Sequence, residues 1–259
     1  MKSEVEERQA YSLTAETPEL LPYLPYILQD FWEIGSDPDV MVRLIEKNVS
    51  VSEQMRILDL GCGKGAVSVK IADKLRVMVR GVDMMQVFID YAKVKATEYG
   101  IADLCEFIVE DINETVEKER GYDCVIFGAL GSVLGDSAET LDKLKAVVKT
   151  GGYILLDESC LPDDGDQEDV RYDYYTYLTQ GQWHRLFKEK DLELIETDFG
   201  NESDSESGMA SLTTRVNELI EKHPDKRSIF EGYIQSQQNE YDDIDNSLVT
   251  ATWILKKLQ

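Results

Sequence analysis

The chain has 259 residues, of which 42% are hydrophobic and 9% aromatic, enough to bury one large α/β core or two small ones and to exclude wholesale disorder. Fifty-one acidic against twenty-seven basic residues leave a net charge of −24. Such a surface repels phosphate backbones and anionic bilayers, which are held by clustered Lys and Arg, so no nucleic acid and no membrane is expected as partner.

The opening stretch MKSEVEERQAY has no apolar core of signal-peptide length, and no later stretch approaches a membrane span. Cys62, Cys105, Cys124 and Cys160 stand far apart with no C-x-x-C pair, as reduced, packed thiols of a cytoplasmic enzyme do. Residues 1–50 carry helical patterns, including TPELLPYLPYILQDFW and DPDVMVRLIEKNV, and are expected to form an N-terminal helical lid. Tyr23, Tyr26, Phe31 and Trp32 read as core positions of a lid helix.

From residue 51 short apolar runs alternate with helical spacing. Strands are expected at RILDL (56–60), VMVRGVD (77–83), CEFIVED (105–111), YDCVIFG (122–128) and YILLDE (153–158). Helices are expected over 66–75, over 86–100 up to Gly100, and over 137–152, where paired glycines stop the last one. LELIETDF (192–199) and SLVTATWILKKL (247–258) supply two more strands. Such alternation predicts β-α-β units in an open, doubly wound, mostly parallel α/β sheet spanning 51–259. Cap insertions are expected at about 161–190 and 203–246, the first joining an acidic run, Asp163–Asp169, to a tyrosine cluster. Ligands on such sheets bind at the carboxyl ends of the strands, which places Gly61, Asp83, Asp111 and Gly128 on one rim.

The stretch ILDLGCGKGA (57–66) carries three glycines in five residues at a strand-to-helix turn. Glycine there admits positive φ and close approach of a ligand, and the helix N-terminus beyond it offers free N–H groups. The glycines alone fit either a dinucleotide pyrophosphate or the methionyl carboxylate of S-adenosylmethionine. Asp59, just before them, is awkward beside a pyrophosphate but suits the ammonium and sulfonium of the second ligand. Asp83, twenty-four residues on, is placed to bridge ribose hydroxyls in both cases. VEDI (109–112) puts an acid and an apolar side chain where adenine's amino edge and face would lie, and no hydride-transfer site follows it.

ILDLGCGKG, RGVDMM, FIVEDI, YDCVIFGALGSVLGD and LKAVVKTGGYILLDE resemble, in order and spacing over about residues 51–160, the motifs of class I S-adenosylmethionine-dependent methyltransferases. TATWILKK resembles that family's antiparallel last strand. The resemblance implies a seven-stranded Rossmann-like sheet with Gly61, Gly63 and Gly65 around the methionyl part of the cofactor; Asp59 is expected there by its charge, and Cys62 through its backbone. It further implies Asp83 on the ribose, Met84 against adenine, Asp111 on the adenine amino group and Ile112 on the ring. Phe127 and Gly128 would lie beside the methionyl amino group and the methyl.

FGALGSV stands where nucleic-acid amino-methylating members carry an Asp/Asn-Pro-Pro-aromatic motif, so the expected acceptor is a small molecule methylated at nitrogen or oxygen. Asp157 and Glu158, with only His184 and His223 to add nitrogen, do not make a metal set, and no metal is expected. Tyr172, Tyr174, Tyr175 and Tyr177, with Trp183 and His184, are candidates for the acceptor pocket through cation–π contact or proton uptake; a packed cap is the plainer reading. A non-catalytic cofactor-binding protein is the alternative function, and a nicotinamide oxidoreductase a distant third.

Overall fold

The computed structural model describes residues 4–172, 175–200 and 205–259. Helices α1 (Glu4–Tyr11) and α2 (Leu24–Ile27) precede α3 (Pro38–Asn48), which begins where the Asp37 carboxylate accepts from the Asp39 amide at 2.8 Å. Strand β1 (Arg56–Leu60) then alternates with α4 (Ala66–Leu75), β2 (Met78–Asp83), α5 (Gln86–Glu98), β3 (Cys105–Val109), α6 (Ile112–Lys118), β4 (Tyr122–Gly128), α7 (Ser137–Val147) and β5 (Val148–Cys160). Helix α8 (Gln180–Glu189) leads to β6 (Leu192–Phe199), and α9 (Ser205–Lys222) and α10 (Arg227–Asn246) to β7 (Val249–Lys257).

The seven strands make one sheet in the order β3-β2-β1-β4-β5-β7-β6. Strands β1 to β5 pair in parallel, and β6 runs antiparallel to β7. The parallel run is built as expected from strands buried on both faces: Ile57, Leu58 and Leu60 are at most 1% exposed. Two elements differ from the sequence reading. Helix α7 stops at Val147 rather than at the glycine pair, because buried Val148 already pairs with Tyr122 and the glycines form an irregular stretch inside β5. Strand β3 stops at Val109, because Asp111 accepts from the Asn113 amide at 2.8 Å and opens α6, a helix the apolar pattern does not announce.

The chain divides into two compact units. One comprises residues 32–158, 181–199 and 251–259 and contains most of the sheet. Helix α3 belongs to it: Met41, Leu44 and Ile45 are fully buried in one cluster with Ile57, Val69 and Ile71. In this division residues 32–50 go with the sheet unit and residues 1–31 with the other. Residues 181–189 of helix α8 belong to this unit as well.

The other unit gathers residues 1–31, 159–180 and 200–250. Buried Asp243 of α10 accepts from the Arg171 and Tyr172 amides at 2.9 and 2.7 Å, tying two of these segments together. Ser236 and Tyr233 of α10 donate to the carbonyls of Thr14 and Leu13, which ties in the third. All four cysteines are free thiols. Among the described residues no helix is long and apolar enough to cross a membrane.

Candidate active site

Strand β1 lies between β2 and β4, where the strand order reverses, and its carboxyl end is the crevice in which open α/β sheets take ligands. The chain leaves that end through Gly61, Gly63 and Gly65, all at positive φ. A side chain at Gly63 would meet nothing within 4 Å, so glycine there keeps the backbone open to a ligand rather than relieving a clash. Gly65 is the N-cap of α4 and brings no side chain to cap it; in the first turn the Ser68 amide donates to the Asp59 carboxylate instead.

Asp59 is 4% exposed and accepts from Ser68 Oγ of α4 at 2.5 Å. Burial pushes its carboxyl up to about 7; the Ser68 hydroxyl pulls the other way, and the Asp83 charge adds to the rise. Asp83, at the end of β2, accepts from the Met85 amide at 2.8 Å and from the Gly63 amide at 3.0 Å. Burial lifts its carboxyl to about 6 against those two bonds. The carboxylate thus ties the glycine loop to the neighbouring strand while standing on the rim. The Cys62 amide donates to Val82 O at 3.0 Å, a second tie between the same strands.

A small cavity, open to solvent, lies here. Asp59, Gly61, Cys62 and Lys64 line it from the glycine loop, Ala66 and Val67 from α4, and Ile126 and Gly128 from β4. Its remaining wall is Trp32, Ile34 and Ser36, every second residue of the segment that precedes α3. Trp32 Nε1 donates to the Lys64 carbonyl at 3.1 Å, Lys95 Nζ lies 5.1 Å from the centroid of the Trp32 ring, and Tyr99 packs beside it at 5.5 Å. Glu33 pairs with Lys70 of α4 at 3.6 Å.

At the end of β5, Asp157 pairs in register with Gly128 and accepts from Thr252 Oγ1 at 3.0 Å. Burial raises its carboxyl, and the neighbouring Ser36 and Thr252 hydroxyls oppose that rise. Burial, with the adjacent Asp157 charge, pushes Glu158 to about 8.

The loop residues expected at the site line the cavity together: Asp59, Gly61 and Cys62, with Gly128 opposite. Gly63 joins them through its bond to Asp83, and Gly65 through its place at the start of α4. Asp83, Met84, Asp111 and Ile112 continue the rim along β2 and β3 and are not walls of the cavity itself. Asp111 spends one oxygen capping α6, and Ile112 is 5% exposed.

The Phe127 side chain is fully buried, and strand alternation turns it to the face opposite Ile126, which lines the cavity. The aromatic residues expected after the fifth strand fall in both units. Trp183 is buried against Phe187 and Trp253, with ring centroids 5.6 and 5.4 Å away, and His184 packs on Phe187 at 6.3 Å. Tyr172, Tyr175 and Tyr177 form an edge-to-face ladder in the other unit, where the Tyr175 hydroxyl donates to Tyr11 O at 3.0 Å; Tyr174 lies outside the described residues.

Trp32, Ile34, Ser36 and Lys64 are the residues that sequence reasoning missed. The alternation W-x-I-x-S between two helical patterns is the signal that would have found the first three. Among the described residues no group of His, Cys, Asp and Glu side chains could hold a metal ion.

Residues 51–191 match the family described as "Methyltransferase domain". A malonyl-[acyl-carrier protein] O-methyltransferase of Ilyobacter polytropus is 31% identical over 104 residues, which cover 40% of this chain and 39% of that protein. A tRNA 5-carboxymethoxyuridine methyltransferase of Escherichia coli is 28% identical over 107 residues, 40% of each chain. The chain thus spans about two fifths of the length of these curated relatives. A methyltransferase from Geobacter sulfurreducens, solved with S-adenosyl-L-homocysteine, superposes with a TM-score of 0.73 at 20% identity, covering 90% of this chain and 97% of its own, and so shares the fold. With more than half of its length matched, and with the acid–glycine loop at the switch point, the chain belongs to the methyltransferase-domain family of class I, S-adenosylmethionine-dependent type.

Proposed function

We propose that the chain transfers the methyl group of S-adenosylmethionine to a small-molecule acceptor, at nitrogen or oxygen. The observation that carries this reading is the cavity at the end of β1, where a buried carboxylate, an open glycine loop and the glycine-led start of α4 converge. Those groups fit an amino-acid zwitterion beside a cationic sulfur: Asp59 for the positive charges, the α4 start for the carboxylate. Asp83 and Asp111 continue along the rim for the ribose and adenine. When bound, S-adenosylmethionine supplies a methyl group already activated by the sulfonium.

The protein's own part is to hold and orient. Positioning an acceptor in line behind the methyl is worth up to roughly 7–11 kcal/mol in favourable cases, so an elaborate catalytic apparatus is not required. The net charge of −24 supports a neutral or cationic acceptor over a polyanion. The relatives named for an acyl-carrier protein and a tRNA make those the competing acceptor classes.

Titration calorimetry tests the cofactor, with binding of S-adenosylmethionine or its product expected at low-micromolar to submillimolar affinity and none of NAD. Mass-spectrometric detection of S-adenosylhomocysteine, formed when protein and S-adenosylmethionine are given a low-molecular-weight metabolite fraction, tests turnover. Binding without turnover on that fraction, together with turnover on tRNA or acyl-carrier protein, would overturn the small-molecule reading. Binding without turnover on any of the three would favour a non-catalytic cofactor-binding protein.

A further inference from the structure

Glu158 stands near the end of β5, beside the end of β4: the residue before it, Asp157, pairs in register with Gly128 of the cavity wall. The two acids are held differently. Asp157 accepts from the Ser36 and Thr252 hydroxyls, whereas among the described residues Glu158 accepts from the Gly131 amide alone. That amide belongs to the loop leaving β4, and the same loop reaches the glycine turn. A Cβ at Gly61 would stand 2.6 Å from Leu130 Cδ1, so the Leu130 side chain covers Gly61. Leu130 and Gly131 are consecutive, so one step of backbone, about 3.8 Å, separates the residue over the glycine turn from the residue that holds Glu158. The loop is fixed where it lies. The Ala129 amide donates to the Asp157 carbonyl at 2.8 Å, Asn113 Nδ2 donates to the Val133 carbonyl at 3.1 Å, and Ala129 takes a φ of +53°, which costs free energy for a residue with a Cβ.

The charges that act on these two acids are themselves acidic, Asp37 on Asp157 and Asp157 on Glu158. Residues 129–134 of the loop and 251–253 of β7, the elements on either side, carry no charged side chain. Burial, with the Asp157 charge, lifts the Glu158 carboxyl to about 8, against the pull of the Gly131 amide. Such a carboxylate takes up a proton readily near neutral pH, and Glu158 is only partly buried, so a ligand on the rim can reach it.

We propose that Glu158 is the base of the methyl transfer, taking the proton that an N–H or O–H acceptor gives up as it is methylated. The assignment rests on the S-adenosylmethionine reading of the cavity. The acceptor's lone pair forms the bond to the methyl carbon, the carbon–sulfur electron pair stays on sulfur, and the acceptor's proton passes to a Glu158 carboxylate oxygen. The positive charge thus leaves sulfur and ends on the proton, which the carboxyl releases to solvent at the rim. Asp157, whose charged form the Ser36 and Thr252 hydroxyls favour, supplies the neighbouring charge that keeps Glu158 basic.

The test compares the wild-type full chain with Glu158→Gln and Glu158→Asp. Two readouts need no turnover. Titration with S-adenosylhomocysteine is expected to give affinities within about threefold of wild type for both variants, because Glu158 does not hold the cofactor. Infrared spectra of the ligand-free protein, taken on both sides of pH 8, are expected to show a protonated carboxyl band that is lost on the alkaline side and is missing from Glu158→Gln. Subtracting the variant's spectra removes Asp59 and Asp83, whose carboxyls also titrate above the ordinary range. The third readout is formation of S-adenosylhomocysteine from S-adenosylmethionine and a low-molecular-weight metabolite fraction. The wild-type rate is expected to rise with pH and level off above about 8. Glu158→Gln is expected to lose about a hundredfold or more of the plateau rate, and the inflection with it. Glu158→Asp, a carboxylate one methylene shorter, should keep the inflection with part of the rate.

An unchanged rate and inflection in Glu158→Gln would overturn the proposal, as would a titrating band that persists in that variant. Loss of rate together with weakened S-adenosylhomocysteine binding and a lowered melting temperature would overturn it too, leaving Glu158 as an anchor for the Gly131 loop. Where tRNA or acyl-carrier protein is the acceptor turned over, the same comparison on that acceptor decides the role of Glu158. No turnover by the wild type on any of them, with S-adenosylhomocysteine bound, is a different result from an inactive Glu158→Gln beside an active wild type, and it would overturn the methyl-transfer reading and the base together.

Discussion

Asp83 accepts from Met85 through Oδ1 and from Gly63 through Oδ2, so its carboxylate holds a turn and the glycine loop before any ligand arrives. A mutation there acts on both. Each charge-assisted bond is worth roughly 1.5–3 kcal/mol. Asp83→Ala should therefore lower the melting temperature and also weaken S-adenosylhomocysteine by about thirtyfold or more. Asp83→Asn retains one acceptor oxygen and should lie between wild type and alanine on both scales. Calorimetric titration beside thermal unfolding checks this, and a fall in melting temperature with affinity held within about threefold would make Asp83 a loop tie only.

Asp59 and Asp83 also set a pH dependence. Their folded carboxyls, near 7 and 6, stand above the ordinary carboxylate value near 4, mainly through burial. The stability they contribute is present below about pH 4 and is lost as pH rises through 6 to 7, because the folded protein must then hold two ionised groups. A cationic ligand favours the ionised forms. S-adenosylmethionine should thus bind about tenfold more tightly at pH 8 than at pH 5.5 and release protons on binding. Calorimetry in two buffers of different ionisation enthalpy reads both quantities, and Asp59→Asn should flatten the upper part of the profile. A flat wild-type profile would mean that neither carboxylate meets positive charge.

Strands and loops differ in how much of them the chain announces. The apolar runs at 56–60, 78–83 and 122–128 are legible because strands buried on both faces need an unbroken apolar stretch, and the acids and glycines at their ends mark the rim. Asp59 and the glycine loop follow from the same local chemistry. Phe127 against Ile126 was not legible, because a strand apolar on both faces conceals which face meets the ligand. The wall before α3 was hidden for another reason: Trp32, Ile34 and Ser36 line the cavity only through contacts with Lys64, Gly128 and Asp157, all distant in sequence.

That dependence makes Gly128 a test of how the segment 32–36 is seated. A methyl group there would displace Ser36 Oγ, 2.2 Å from the position it would occupy, and residues 33–37 should then exchange their amide hydrogens faster than in wild type. Exchange in α3, anchored by Met41, Leu44 and Ile45 in the sheet core, should not change. Equal acceleration through α3 in Gly128→Ala would show that this segment and the helix loosen as one body.

The whole molecule carries 51 acids against 27 bases, and this excess bears on the acceptor through long-range repulsion rather than through any one contact. Repulsion between like charges is screened over a Debye length of about 10 Å at 0.1 M ionic strength and about 3 Å at 1 M. Proteins that bind nucleic acid show the opposite salt response, since Lys and Arg contacts release counterions and binding strengthens as salt falls. For this chain, lowering the salt should strengthen exclusion of a polyanion. Total tRNA at micromolar concentration should produce no mobility shift of the protein at ~50 mM salt, the condition most favourable to non-specific binding by a basic protein. The same tRNA should leave S-adenosylhomocysteine affinity unchanged. A saturable shift at low salt that weakens as salt rises would reveal a basic tract strong enough to act against the net charge, and it would return the acceptor to the nucleic-acid class.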